Sequence, residues 1–423
     1  MKFKIRRKML SDALSFAYQP LFSTIDETLP PSVKSIYIKC SNDMVQFFGT
    51  NLKLMFVNTV KAEADSLVVE SSGECLMYSK VLFQIVQKFS TNEWVEFDFK
   101  EIPAVDENEE ESFVMNVSFD KSKQEIQCGN VDDYPLEALT LSKVDDSVTM
   151  EASLYLEAVK RLSFLCGKDP NRYDLHNLCL SFDKEKQKVY FVGGSGPNLA
   201  VYEVEEKVSE DEQYLLRKDV LVSGSKYYNT KNSICISFGK NSLDNDIISV
   251  QHDIDEVRSF QIIAVPIDLD FPVWKDIYES KTKEGKVVVG RKKLIQCLDR
   301  IKAVSPQLCM LNAFGPSMVS LSATTEDSIL DRCNYKEDLE VMEQSVNCMS
   351  LINTSLLREA LSKMEGDIVE IKIINDEEDK PKLLKVYPQM LSSYHYFQAI
   401  IDDDSNDSDD DADEDFEEEE VPF

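Results

Sequence analysis

"KVVVGRKKLIQCL", Lys286 to Leu298, takes a short apolar strand straight into an amphipathic helix, and the chain holds two other stretches of the same build. They are "MKFKIRRKMLSDAL" at Met1 to Leu14 and "SVTMEASLYLEAV" at Ser147 to Val159. A strand-like run opens each, and apolar residues then recur at the three- and four-residue spacing of a helix. The later two copies follow shared punctuation, Asp-aromatic-Pro, in "DDYPLEALTL" (132–141) and "LDFPVWKDIY" (269–278), whose Pro135 and Pro272 are 137 residues apart. Self-similarity at a fixed period marks a duplicated architecture. Three domains of similar construction are expected, over 1–143, 147–280 and 286–401, with a tail at 402–423.

A half-period is also visible. Segments with helical periodicity span 5–18, 79–89, 153–166, 217–231, 290–302 and 353–364, their centres about 62 to 76 residues apart. The fourth is the weakest, because Val222-Ser223-Gly224-Ser225 is poor helix material. Between them lie alternating runs such as "SIYIKC", "VEFDFK", "KVYFVG", "SICISFG" and "VEIKII", which read as strands. Each helix is therefore expected to precede three or four antiparallel strands. The fold class is α+β, with two helices backed by antiparallel sheets in every domain.

Charge is distributed unevenly. The formal net charge of the 423 residues is −31. Residues 402–423, "DDDSNDSDDDADEDFEEEEVPF", contribute fourteen Asp and Glu with no Lys or Arg, a composition expected to stay unfolded. The six helical segments together carry +13, so the rest of the body carries −30. Basic helices on an acidic framework suggest one shared surface facing a polyanion, and Lys and Arg without interleaved aromatics fit phosphate contacts better than base reading.

Chemistry-bearing motifs are sparse. The glycines of "GGSGPNLAVYEV" (193–204) lack the following lysine and helix N-terminus of a phosphate loop, and read as a tight strand-to-strand turn. Zinc-protease and nucleophile-elbow motifs are missing. Ten cysteines stand singly with no C-x-x-C, and His176, His252 and His395 are scattered, so neither metal nor disulfide frame is expected. The chain is expected to be no enzyme, to need no cofactor and, lacking a long apolar run or secretory leader, to stay off membranes in the cytoplasm.

Several stretches together resemble the bacterial-type replication sliding clamp, the beta subunit of the bacterial replicative DNA polymerase. "MKFKIRRKML" is similar to that family's opening strand and first helix, "FFGTNLKLMF" (47–56) to its first-domain strand-turn segment, and "KDPNRYDLHNLCLSF" (168–182) to its Arg-Tyr-x-Leu stretch. "VYFVGGSGPNLAVYEV" resembles the strand, turn and strand of its second domain, and "FPVWKDI" its Phe-Pro-Asp-Tyr segment. The resemblance covers residues 1 to about 401, and rests on the order and spacing of these stretches. It implies three domains per chain, a head-to-tail ring of two chains, and helices lining a channel around double-stranded DNA. The partners implied are the replicative DNA polymerase, the clamp loader and a second copy of the chain.

On the basic helices, Arg6, Arg7, Lys80, Lys160, Arg161, Arg172, Lys226, Arg291, Lys293 and Arg300 are the candidate phosphate neighbours, with Tyr173 either touching the backbone or packing. The resemblance also implies a partner-peptide pocket. Its wall carries over to Leu175, Gly194, Gly196, Pro197 and Leu199, to Pro272 and Ile277, to Leu308, and to Phe397, Ile400 and Ile401. This chain departs from the family in having Pro197-Asn198 for His-Arg, "FQAII" for the usual Met-Pro-Met-Arg-Leu ending, and Asp26 near a family arginine. The pocket is therefore expected to accept a different peptide, as in a phage or other mobile replicon with its own polymerase. The competing reading is an acidic, non-catalytic interaction or DNA-mimicking protein, which would tolerate charge reversal on the basic helices.

Overall fold

The computed structural model describes residues 1–22, 29–88, 93–102, 112–167, 173–222, 224–280, 284–314, 318–324, 333–375, 380–390 and 393–400. The readings on Asp26, Arg172, Ile401 and the tail 402–423 lie outside them. There are two compact units, one of Met1–Gly193 with Glu203–Pro272, the other of Gly194–Tyr202 with the described residues from Val273 on.

Six times a strand passes into a helix with no residue between. Lys2–Arg6 leads to Arg7–Ala17, Gly73–Tyr78 to Ser79–Val86, and Lys143–Glu151 to Ala152–Leu162. Gln213–Arg217 leads to Lys218–Val222, Glu284–Gly290 to Arg291–Lys302, and Cys348–Asn353 to Thr354–Lys363. The last strand residue serves as the helix N-cap and keeps extended geometry, with ψ of 133° at Arg6, 134° at Glu151, 117° at Gly290 and 110° at Asn353. One peptide unit thus turns the chain from sheet to helix.

The helices bury one stripe each, at matching positions: Leu10, Ala13, Leu14 and Ala17; Tyr155, Ala158, Val159 and Leu162; Leu294, Cys297, Leu298 and Ile301. That i, i+3, i+4, i+7 pattern gives a single apolar face for a sheet to cover. The helices pack in twos, Arg7–Ala17 with Ser79–Val86, Ala152–Leu162 with Lys218–Val222, and Arg291–Lys302 with Thr354–Lys363.

Three expectations need correction. The first helix starts at Arg7, since Ile5 and Arg6 pair with Val95 and Trp94 in a strand. The segment 217–231 is helical only over Lys218–Val222, followed by a 3-10 turn at Ser225–Tyr227, because Gly224 between them has a left-handed φ of +76°. Between Arg7–Ala17 and Ser79–Val86, and between Arg291–Lys302 and Thr354–Lys363, five strands intervene instead of the expected three or four, while the other three intervals hold four.

The first unit is dominated by a thirteen-stranded antiparallel sheet. Its middle is a seam between distant segments, where Leu54–Lys61 pairs with Arg258–Ala264 from Leu54↔Ala264 to Val60↔Arg258. Phe16 lies against both strands, its ring 5.0 Å from Phe56 and 4.6 Å from Phe260, and Arg258 reaches Asp12 at 3.1 Å. A shorter run in this unit pairs Asn177–Asp183 with Gln213–Arg217 and Lys188–Ser195.

The second unit has its own seam, Asn198–Tyr202 against Tyr394–Gln398. From there Pro381–Pro388, Ile368–Asn375, Glu284–Gly290 and Glu343–Gln344 continue the sheet. A separate four-stranded sheet runs Asn334–Glu340, Met318–Thr324, Leu308–Ala313, Cys348–Asn353.

Two glycines show why a strand passes beneath a helix end. A Cβ on Gly49 would sit 1.8 Å from the carbonyl oxygen of Ala17, the last residue of its helix. One on Gly193 would meet the carbonyl oxygen of Leu162, also a last helical residue, at 3.2 Å. The glycine run at 193–196 is thus explained by close packing at Gly193 and by a turn with φ of +55° at Gly196.

Candidate functional site

Several basic residues at the helix starts serve the fold itself. The Arg7 guanidinium donates to the carbonyl oxygens of Val86 and Gln87, both at 3.0 Å, closing the C-terminus of the paired helix Ser79–Val86. Arg291 does the same in the second unit, donating to Gly366 O at 2.6 Å and Leu361 O at 3.1 Å beyond the helix Thr354–Lys363. Helix C-termini leave carbonyls unsatisfied and carry partial negative charge, so an arginine there meets both needs. Arg6 donates to Asp65 O at 3.2 Å and lies 4.2 Å over the Trp94 ring.

Further along the helices, Arg161 is buried, 8% exposed, and bonded to Glu157 one turn earlier. Arg300 forks onto Glu337, which also accepts the Tyr335 hydroxyl at 2.7 Å. The guanidinium holds the Glu337 carboxyl down to about 2. Lys160, Lys226 and Lys293 are exposed, Lys226 over the Tyr227 ring at 4.9 Å and Lys293 3.8 Å from Glu340. Lys80 lies on the helix Ser79–Val86 and Tyr173 opens the 3-10 turn Tyr173–His176.

The sequence reading passed over one basic group. In the first unit a cavity of about 540 Å³ is lined by Lys53, His176, Arg217 and Lys218, with Ile267 and Leu269 among its apolar walls. Arg217-Lys218 occupies the same strand-to-helix step as Arg6-Arg7, which was the signal available in the sequence.

Of the residues proposed for a partner pocket, the second unit joins several on one sheet. Leu199 is the cross-strand partner of Phe397, the Ala399 N–H donates to Pro197 O at 2.8 Å, and the Phe397 ring is 6.1 Å from Tyr278, the neighbour of Ile277. Ile400 follows on that strand, while Leu308 starts a strand of the four-stranded sheet. Gly194 lies in the strand Lys188–Ser195 and Gly196 in the turn that follows it, just before Pro197. Leu175 and Pro272 belong to the first unit, where Leu175 is buried and its carbonyl accepts from the Gly167 N–H at 2.8 Å. Asn198 turns inward, 3% exposed, accepting from the Tyr396 hydroxyl at 2.8 Å and donating to Ser195 O at 3.2 Å.

Sequence reading also missed the residues around Phe397. The Lys385 Nζ lies 5.1 Å from the Phe397 ring centre, 5.4 Å from Tyr278 and 5.9 Å from Tyr387. His395 packs edge-on to Tyr278 at 5.4 Å. Only the alternation in "KLLKVYP" and "YHYFQ" hinted at a shared face.

Repeated strand-to-helix steps, helices packed in twos and antiparallel sheets joined strand to strand define a DNA-clamp fold. Residues 1–140 match the family model of the DNA polymerase III beta subunit, N-terminal domain. The whole chain has the sliding-clamp fold. The DNA polymerase sliding clamp of Pseudomonas aeruginosa superposes with a TM-score of 0.75 at 16% identity, covering 95% of this chain and 99% of that one. The Bacillus subtilis sliding clamp gives 0.74 at 14% identity, covering 95% and 99%. The Thermotoga maritima DNA polymerase III beta subunit gives 0.71 at 17%, with the same coverage. No curated protein matches this sequence.

Proposed function

We propose that this chain is a replication sliding clamp, a non-catalytic processivity factor that encircles duplex DNA and tethers the replicative polymerase and other partners. One observation carries the reading. Taking the repeats as domains 1–143, 147–280 and 286–401, the fourth strand of the first pairs with the last strand of the second, Leu54–Lys61 with Arg258–Ala264. The fourth strand of the second pairs with the last of the third, Asn198–Glu205 with Tyr394–Ala399. One fourth strand and one last strand are left over. Asn334–Glu340 is at an edge of its sheet, and Ser122–Gly129 meets Gly73–Tyr78 only through Cys128 and Gly129. A second copy supplies the missing partner for each, head to tail, and two copies close a ring of six domains. Such heterologous contacts form rings when the rotation closes.

Enclosure needs no tight or sequence-reading contact, which suits scattered exposed lysines on an acidic framework. Among the described residues no helix is long and apolar enough to cross a membrane, and no group of three or more His, Cys, Asp or Glu is placed to hold a metal ion. The clamp is proposed to act in the cytoplasm, at the replication site, loaded by a clamp loader. The part of the second unit that carries Leu199, Ile277 and Phe397 is proposed to receive partner peptides.

Light scattering during size exclusion tests the ring, with a mass of twice 48.3 kDa expected at micromolar concentration. Protein loaded on a nicked circle should stay bound until the circle is linearised. A monomer throughout, or retention that survives linearisation, refutes the reading.

A further inference from the structure

The first unit carries a groove of about 1050 Å³ whose floor is apolar, with Tyr214 and Leu215 on one strand and Val265, Ile267 and Leu269 on the segment that follows Arg258–Ala264. Tyr214 stacks on Phe238 with ring centres 4.5 Å apart, which fixes one part of that floor. The Val265 and Ile267 N–H groups donate to Lys53 O at 3.3 Å and Leu215 O at 3.2 Å, so the segment is held while Val265 and Leu269 stay 41% and 47% exposed. Exposed apolar side chains on a held segment inside a groove mark a surface for a partner.

The rim decides the partner's charge. Asp145 is paired with Lys143 at 2.6 Å, and the lysine that lines the groove, Lys240, with Asp244 at 3.2 Å. Glu210, Glu212, Asp246, Asp268 and Asp270 have no ion pair among the described residues. Their field reaches the floor, since burial first, and then Glu212, Asp246, Asp145 and Asp146, pushes the Tyr214 hydroxyl up to about 12. No three carboxylates among the described residues are placed to hold one metal ion, so the rim suits cations spaced along a chain. Ile267 and Leu269 also wall the separate cavity lined by Lys53 and Lys218. A basic ligand is thus drawn to the groove and turned away from that cavity.

We propose that this groove docks a lysine- or arginine-rich segment of a partner protein, with an aromatic or large aliphatic side chain among its basic residues seated on Val265 and Leu269. None of the lining residues belongs to Ser122–Gly129 or Asn334–Glu340, so ring closure through those strands leaves the groove's lining unused.

The probe is a fluorescein-labelled peptide, Lys-Lys-Trp-Leu-Lys-Lys, followed by anisotropy against the full chain in about 0.15 M salt, which screens distant charges. Asp268→Lys with Asp270→Lys should weaken binding about tenfold or more, and Val265→Ser with Leu269→Ser about fivefold. Hexalysine, which lacks the anchor, should bind about tenfold more weakly than the probe. Melting curves of both double variants should overlay that of the parent, because all four side chains are exposed. Asp253→Lys with Glu256→Lys makes the same change of charge at the other end of the hairpin that carries Asp246 and should leave binding unchanged. Absence of binding, equal loss in the two charge variants, hexalysine as tight as the probe, or indifference to Val265→Ser with Leu269→Ser overturns the proposal. The peptide is read on the chain itself, without DNA and without need of a ring, so failure here is separate from failure of the clamp reading.

Discussion

Arg291 separates a role in the fold from a role on DNA. It is the first residue of a basic helix, yet its donors at 2.6 Å and 3.1 Å go to Gly366 O and Leu361 O. Hydrogen bonds from a charged group contribute roughly 1.5–3 kcal/mol when well shielded. Arg291 is half-buried, so water recovers part of that, and Arg291→Gln should cost about 2 kcal/mol for both bonds together. For a unit of this size that corresponds to a fall of about 4 to 8 °C in the melting temperature. Lys293, two residues on, is the control, since it is exposed and its ammonium sits 3.8 Å from a still more exposed carboxylate, that of Glu340. Lys293→Gln should leave the melting curve within about 0.5 kcal/mol of the parent. Its effect should fall instead on the salt dependence of DNA association, whose logarithmic slope drops by roughly 0.9 for each phosphate that is no longer neutralised. Differential scanning fluorimetry and salt-titrated binding to primed circles measure the two. An Arg291→Gln variant that melts with the parent but loses DNA retention would refute the assignment of Arg291 to the fold.

Three other expectations follow from local geometry. Gly49→Ala drives a Cβ to 1.8 Å from the Ala17 carbonyl and should cost ~3 kcal/mol or more, whereas Gly193→Ala meets its neighbours at 3.1 and 3.2 Å and should cost ~1 kcal/mol; urea midpoints rank them. His252 is 1% exposed, accepts the Asn229 N–H on Nε2 at 2.8 Å and faces Ser233 O through Nδ1 at 3.0 Å, between Tyr228 and Phe260, and burial lowers its pKa despite nearby Asp253. Its contribution is complete above the unfolded value near 6.5 and is lost as pH falls through the lower folded value, so urea stability should drop as pH falls below about 6.5, and less steeply in His252→Gln. Glu337, held down to about 2 from 4.5 by Arg300, contributes above pH 4.5 and loses that contribution towards pH 2; carboxyl NMR titration of Arg300→Gln should return it towards the ordinary range. Because Arg300 is half-exposed, the stability change there should be small.

Local pattern made much of the architecture legible. Leu10, Ala13, Leu14 and Ala17, with their counterparts at 155–162 and 294–301, announce a helix with one apolar face because the 3.6-residue period needs only near neighbours in the chain. The three strand-to-helix copies likewise reveal the repeat, and the repeat with its basic helices led to the clamp resemblance. Where the local signal was weak the reading overshot, as at 217–231, which Gly224 cuts short.

The candidate site was read only in part, for a related reason. Lysine and arginine counts locate charge along the chain but not where a guanidinium points, so Arg7, Arg161 and Arg291 read as surface cations although each is committed to Val86, Glu157 or Leu361. Lys385 and His395 went unnoticed because their rings come from segments more than a hundred residues apart, Tyr278 on one and Tyr387 with Phe397 on the other.

By itself the sequence determined the α+β class, the repeat, the segregation of positive charge onto helices and the acidic segment at 402–423, all properties of composition and short-range period. Tertiary structure alone decided which strands meet. Leu54–Lys61 finds Arg258–Ala264 across some two hundred residues, and backbone pairing between strands carries no side-chain code that marks its partner from afar. That pairing leaves Asn334–Glu340 at a sheet edge and one side of Ser122–Gly129 only partly paired, and the ring proposal depends on these two strands.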